Sequence, residues 1–225
     1  MRKPLLLFLF VGSLIFGCKP EKENIDFEKK VLIEVIPSIV DSICGDPRIP
    51  FRPTLGKYVE KADRMILDTL LTSTEQRNAY KKWEKELDSL KKDTTSLFLA
   101  FNPIIKPSND ELKIELEKHF GRRTLDNPHI ESCEIDLNEI KLYKHFKFKH
   151  DSLFLKTRDM WNNNYDFVFS GFFEISRILF DESKNYGILS TGYQCNDRCG
   201  RGYLAFIKKV NGKWIIDKLK MTWVS

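Results

Sequence analysis

Cys195 and Cys199 enclose the stretch CNDRC, which puts two thiols four positions apart around turn-forming residues. Strands entering such a turn would bring the two Cα atoms to about 5–6 Å, the separation a disulfide needs. So short a loop gains under about 3 kcal/mol from closure, so the bond's value would lie in holding the loop's shape. Cys44 and Cys133 complete an even set, as expected of a chain in an oxidising compartment, although nothing local positions them against each other. A second chemistry draws on the same residues. His129-x3-Cys133 and Cys195-x3-Cys199 offer two ligand pairs, and three thiolates with one imidazole form a structural zinc set. The spacing is not that of a zinc finger, so the Cys195–Cys199 disulfide is the expectation, with free thiols or zinc as the alternatives. A redox-active pair would need Cys-x-x-Cys at a helix start, which is not the spacing here.

Other reactive side chains are arranged less favourably. His119 falls in the last turn of an expected helix, where the backbone dipole favours a cation. His145 and His150 flank a lysine-rich strand at a spacing that does not co-face, so both read as surface residues. Ser89-x-x-Lys92 has the spacing of a serine–lysine dyad but sits near the end of a charged helix without partner motifs. Residues 187–192 (GILSTG) lack the first glycine of a nucleophile elbow, and Gly200-Arg-Gly202 reads as a turn with no phosphate loop behind it. Glu131, Glu134 and Asp136 cluster in an irregular segment, but no second acid can be placed opposite them for general acid–base work. No HExxH occurs, and no catalytic residue, resident metal or cofactor is assigned. Toward the C-terminus Arg201, Lys208, Lys209, Lys213, Lys218 and Lys220 face only Asp217. That stripe suits an anionic lipid or glycan, but lysines also guard edge strands against aggregation, and the second role is the expectation.

The start of the chain has its own pattern. Arg2 and Lys3 precede an apolar stretch from Leu5 to Phe16, too short to span a bilayer comfortably. It ends in Ile15-Phe16-Gly17-Cys18, which resembles the lipobox of bacterial lipoproteins, with a bulky Phe16 where a small residue is commoner. The resemblance implies cleavage after Gly17 and lipid on Cys18. Its partner would then be a membrane, reached through two or more acyl chains, and its place the cell envelope, anchored at the outer membrane. Residues 1–17 are read as signal peptide, 18–25 as a lipidated tether built on KPEKEN, and 26–225 as one domain, helix-rich over 26–125 and strand-rich over 126–225.

These elements must position whatever chemistry exists. Leu32, Val35, Ile36, Ile39, Val40 and Ile43 recur at helical steps over Asp26 to Cys44, with Pro37 inside the pattern. Leu55 to Leu71 suits a helix weakly. Thr72 and Glu75 fit a capping box that opens a helix to about Lys92, with Tyr80, Trp83, Leu87 and Leu90 in a narrow stripe. Residues 94–101 (TTSLFLAF) read as a buried strand, Ser108 to Glu111 as a second capping box, and 145–149 (HFKFK) as an alternating strand. Ser170–Phe180, Asn185–Tyr193, Gly202–Val210 and Lys213–Trp223 read as an antiparallel meander. Asn211-Gly212 predicts a type I′ turn that sets Ile207 opposite Ile216 and Leu204 opposite Leu219. The fold class is therefore α+β, N-terminal helices on a C-terminal four-stranded antiparallel meander.

The last third, from Ile175-Ser-Arg177 through the Cys-containing turn to "KKVNGKW", is similar to the C-terminal ends of lipoproteins of the Bacteroidota. That resemblance implies the anchor and the sheet and carries over no activity. With 225 residues, 42% hydrophobic, and a net charge of +5, the chain can bury a core and is neither polytopic nor basic enough to suggest nucleic acid. The reading from sequence is a lipid-anchored envelope protein that binds or scaffolds, its partner an envelope protein or an anionic glycan or lipid. An envelope-polymer hydrolase using an acid from residues 131–139, or a small-ligand module with its pocket between sheet and helices, are the alternatives.

Overall fold

The computed structural model describes residues 20–61, 64–108, 111–124, 131–143, 145–154, 158–161 and 163–225. The expected signal peptide over residues 1–17, Cys18 and His129 lie outside them. Helix α1 (Pro20–Ile43) is longer than its apolar pattern predicts, because residues expected to form a tether are helical from Pro20 onward. Proline suits a first helical turn, where its missing N–H costs nothing. Pro37 lies within the helix, which continues past it. Leu32, Ile36, Ile39 and Val40 are fully buried, each stabilising the fold by roughly 1.5–3 kcal/mol.

That stripe packs on a mixed sheet built from β3 (Leu97–Phe101), β6 (Phe146–His150), β7 (Val168–Ile175), β8 (Leu179–Phe180), β9 (Tyr186–Asn196), β10 (Cys199–Val210) and β11 (Lys213–Val224). The α+β class holds, but the sheet has seven strands rather than four, in the order β11-β10-β9-β7-β3-β6 with β8 on β9. The expected meander strands are neighbours in it. The additional members β3 and β6 pair in parallel, β3 lying between β6 and β7. Parallel pairing needs long crossovers, whose partners no local pattern announces.

The Asn211-Gly212 turn has φ of 51° and 82°, as type I′ geometry requires. Ile207 pairs with Ile216 as expected, but Leu204 faces Lys220 and Leu219 faces Ala205. A β-bulge between Phe206 and Ile207 shifts the register and re-aims Asp217. Residues 55–71 are not helical. They form a separate hairpin, β1 (Lys57–Lys61) on β2 (Arg64–Asp68), with Val59 opposite Ile66. Tyr58, Val59 and Ile66 favour strands, and the segment has no apolar face broad enough for a helix to bury. Helix α2 (Thr74–Lys92) is capped one residue later than expected. Ser73 Oγ accepts from Gln76 N and Gln76 Oε1 from Ser73 N. Gln76 also donates to the Gly56 carbonyl at 2.7 Å, a tertiary bond that favours it over Glu75.

The two faces of the sheet differ. Face one carries α1, fastened by a buried ion pair in which Arg177 Nη2 lies 2.5 Å from Glu28 Oε2. Glu28 Oε1 also accepts from Ile178 N at 2.7 Å, and Arg177 Nη1 donates to the Glu131 carbonyl at 2.8 Å. On face two, α3 (Glu111–Phe120) buries Leu112 and Leu116 against Leu179, Ile188 and Phe206. Phe154, Trp161 and Phe169 cluster over Phe172. Between these two covers the sheet is open.

Candidate functional site

The open strip of face two is a groove of about 450 Å³, within the range of roughly 300–1,000 Å³ usual for small-ligand sites. In β7 and β9 the period-two alternation turns alternate residues to this face, and in β11 a break in the ladder brings two successive residues to it. Glu174 comes from β7, Ser190 and Gly192 from β9, and Thr222 and Trp223 from β11. Asn102, Ile104 and Lys106 follow the carboxyl end of β3, and Asp151 follows that of β6.

Trp223 reaches the groove through a second irregularity, between Gly202 and Tyr203, that pairs Trp223 with Gly202. The indole lies on the backbone of β10. A Cβ at Gly202 would stand 2.6 Å from Cε2, and one at Gly200 would stand 2.9 Å from Cζ3. Two positions of one strand thus touch opposite ends of the ring, so the ring lies flat against the strand. Any side chain at either glycine would lift it off. Trp223 is 49% exposed, so one face of the indole rests on glycine and the other meets solvent.

Polar groups surround this platform. The Asn102 carbonyl oxygen is held by Ile104 N at 2.9 Å, which orients the amide. Asp151 sits 3.2 Å from His150 Nδ1. The Glu174 and Lys106 side chains have no hydrogen bond or ion pair among the described residues. Ser176 Oγ, within the groove wall, accepts from Ser190 N at 2.9 Å. The result is an aromatic plate ringed by carboxylates, an amide, hydroxyls and one ammonium, equipped for hydrogen bonding and stacking.

The residues singled out from sequence are placed elsewhere. Cys195 and Cys199 stand at disulfide distance across the β9–β10 turn, with Cα atoms 5.2 Å apart. Cys133 lies in β5 (Cys133–Glu134), which pairs with β4 (Ile104–Ile105). It senses Glu28 and Lys29 of the first half of α1, whereas Cys195 follows Tyr193, whose hydroxyl binds the Gly45 carbonyl beyond the helix's end. No group of three or more metal-binding side chains forms among the described residues. Cys44 and Cys133 are not bonded, and burial pushes the Cys44 thiol well above its ordinary value and raises that of Cys133, which disfavours the reactive thiolate.

His119 Nε2 lies 2.7 Å from Asp217, and Lys208 lies 2.6 Å from the same carboxylate. Lys208 first, then His119, holds the Asp217 pKa below the usual carboxylate range. Lys220 binds Glu115 at 2.7 Å. Part of the basic stripe is thus spent on pinning α3 to the sheet. Ser89 and Lys92 are exposed on α2, none of whose residues is buried. Glu134 and Asp136 border a separate depression with Lys29, Asn138 and His150, but Asp136 is occupied in capping a turn at Asn138 N, 2.9 Å away.

Sequence reasoning missed Glu174 and Trp223. The available signal was Gly200-x-Gly202, read as a turn. Two glycines on one face of a strand, with a tryptophan in the next strand, mark a ring lying on the backbone. The chain matches no protein-family model, no curated protein and no solved structure. The functional reading therefore rests on the geometry.

Proposed function

We propose that this chain is a lipid-anchored protein of the cell envelope, held at the membrane through Cys18, whose folded domain binds a small polar ligand on face two of its sheet. The observation that supports binding is the indole of Trp223, laid flat and half exposed in a groove lined by Glu174, Asn102, Asp151 and Thr222. A large aromatic left half in water costs hydrophobic free energy, and glycines in a strand interior cost more. A chain that accepts both at one place is using the place. Of the functional alternatives, the small-ligand module gains most support, with the pocket on the open strip of the sheet rather than between the sheet and its helices.

The test is amide and indole NMR on the full-length protein in a non-glycosidic detergent, titrated with pools of small polar compounds. Shifts at Trp223 Nε1–H, Gly192 and Thr222, saturating with dose, support the reading. Saturating shifts confined to the depression beside Lys29 and His150, or none at all, would overturn it. The hydrolase reading has one observation in its favour: Asp151 and Glu174 line the same groove, and paired carboxylates are the minimal means of general acid–base hydrolysis. It predicts turnover of whatever binds, lost in Glu174→Gln with binding kept. The binding reading predicts recovery of the ligand intact.

A further inference from the structure

The geometry points to a neutral saccharide as the occupant of the Trp223 groove, an inference that rests on the groove being the binding site. Three properties select the class. The first is the flat plate. The axial C–H groups on one side of a sugar ring form an apolar surface of indole size, and a plate with a single open face accepts such a surface from above. A fatty chain would instead call for an enclosed apolar tunnel, and this groove is open and ringed by polar groups.

The second is the character of the ring of polar groups. Hydroxyl groups donate and accept at once, so they are best met by acceptor and donor groups side by side. Glu174 and Asp151 accept, Lys106 donates, the Asn102 amide can donate, and Ser190 and Thr222 do both. The carboxylate of Glu174 has no hydrogen bond or ion pair among the described residues, so its acceptor sites face water that a hydroxylated ligand would replace. A planar base could also stack on indole, but its attached phosphates would meet this charge set badly.

The third is that charge balance. Two carboxylates and one ammonium line the groove, an excess of negative charge that repels phosphates, sulfated or uronate-rich glycans and anionic lipid headgroups. The lysines of the basic stripe do not reverse it, since none of them lines the groove and Lys208 and Lys220 are bound to Asp217 and Glu115. The anionic glycan or lipid expected from the C-terminal stripe is therefore not the ligand of this groove. A neutral sugar chain, entering and leaving through the open ends, meets both the plate and the charge.

The experiment is isothermal titration of the full-length protein, in a zwitterionic detergent without sugar headgroups, with four neutral oligosaccharides: chitohexaose, cellohexaose, maltohexaose and mannohexaose. Heparin oligosaccharide and a neutral hexapeptide are the comparison probes. At least one neutral oligosaccharide should bind and shift the Trp223 indole signal. Trp223→Ala should weaken that binding more than tenfold in protein that is still folded at the titration temperature by circular dichroism, Trp223→Phe should recover part of it, and Glu174→Gln should weaken it several-fold. If heparin or the peptide shifts Trp223 and none of the four saccharides does, the sugar assignment is wrong and the groove stands. If a saccharide binds equally well to Trp223→Ala, or no probe shifts Trp223, the groove itself is wrong and both readings fall.

Discussion

Single residues on this molecule carry charge work that can be measured by pH. Asp93, at the end of α2, has its pKa held at about 2 against an ordinary 3.8, by hydrogen bonds from Thr95 and then by the Arg48 guanidinium, 2.8 Å away. The folded state therefore binds its proton less tightly than the unfolded chain does. The stability this contributes is complete above about pH 4 and is lost as pH falls toward 2. Asp93→Asn should be less stable than wild type at pH 6, and the gap should narrow below about pH 4 and close only below about pH 2, as read from denaturant midpoints. A gap that stays constant with pH would show that the carboxylate charge is not what Asp93 supplies. The Arg177–Glu28 pair makes a stronger case because both side chains are at most 2% exposed. Arg177→Ala removes the counter-charge from a buried carboxylate and should cost about 3–5 kcal/mol. Arg177→Met, which keeps the volume, should cost as much, whereas the double change with Glu28→Leu should recover a large part.

Elements show where local chemistry and packing agree. The β10–β11 hairpin is closed by Asn211 and Gly212, both left-handed, and Gly212→Val should cost on the order of 1–2 kcal/mol or more for forcing a β-branched residue there. Trp214, at the start of β11, is 6% exposed and meets Phe180 at 5.5 Å and Phe27 of α1 at 6.3 Å, ring centre to ring centre. Trp214→Ala should cost roughly 3–5 kcal/mol and lower the melting temperature, while saccharide binding, measured below that temperature, stays as in wild type. That outcome would separate the buried tryptophan, which carries stability, from Trp223, which carries recognition. Such contrasts are visible in sequence only in part. Asn-Gly after Lys208-Lys209-Val210 marks the turn and the first pairs beyond it. The register past Ile207 depends on a bulge that places Asp217 under His119 and Lys208, and no pattern in the strand announces it.

On the scale of the whole molecule, α1 follows Cys18 almost directly, because helix begins at Pro20. If Cys18 carries lipid, as its lipobox implies, Cys18→Ala should lose the lipid mass and the protein should leave the detergent phase, with the fold unchanged by circular dichroism. Wild type that is unlipidated and stays in the aqueous phase would refute the anchor. At the opposite end of α1 the Cys195–Cys199 pair closes the β9–β10 turn. Peptide mapping of unreduced protein should recover it as one linked fragment, while Cys44 and Cys133 become alkylatable only on unfolding.

The helix stripe of α1, the α+β class, the type I′ turn and the distance between Cys195 and Cys199 follow from neighbours in sequence. Periods of 3.6 and two, turn chemistry and short loops act over a few residues, so the residues named for them are where they were expected. The β6 edge of the seven-stranded sheet and the placement of β3 between β6 and β7 arise from partners distant along the chain. So does the groove. Glu174, Ser190 and Trp223 come from three strands and Asn102 from the end of a fourth, and each alone reads as an ordinary surface residue of its strand. Only the sheet order and two β-bulges set them around one glycine-floored strip. Local propensity is summed within a segment, whereas a site made by convergence exists only once the long-range pairing has chosen which segments meet.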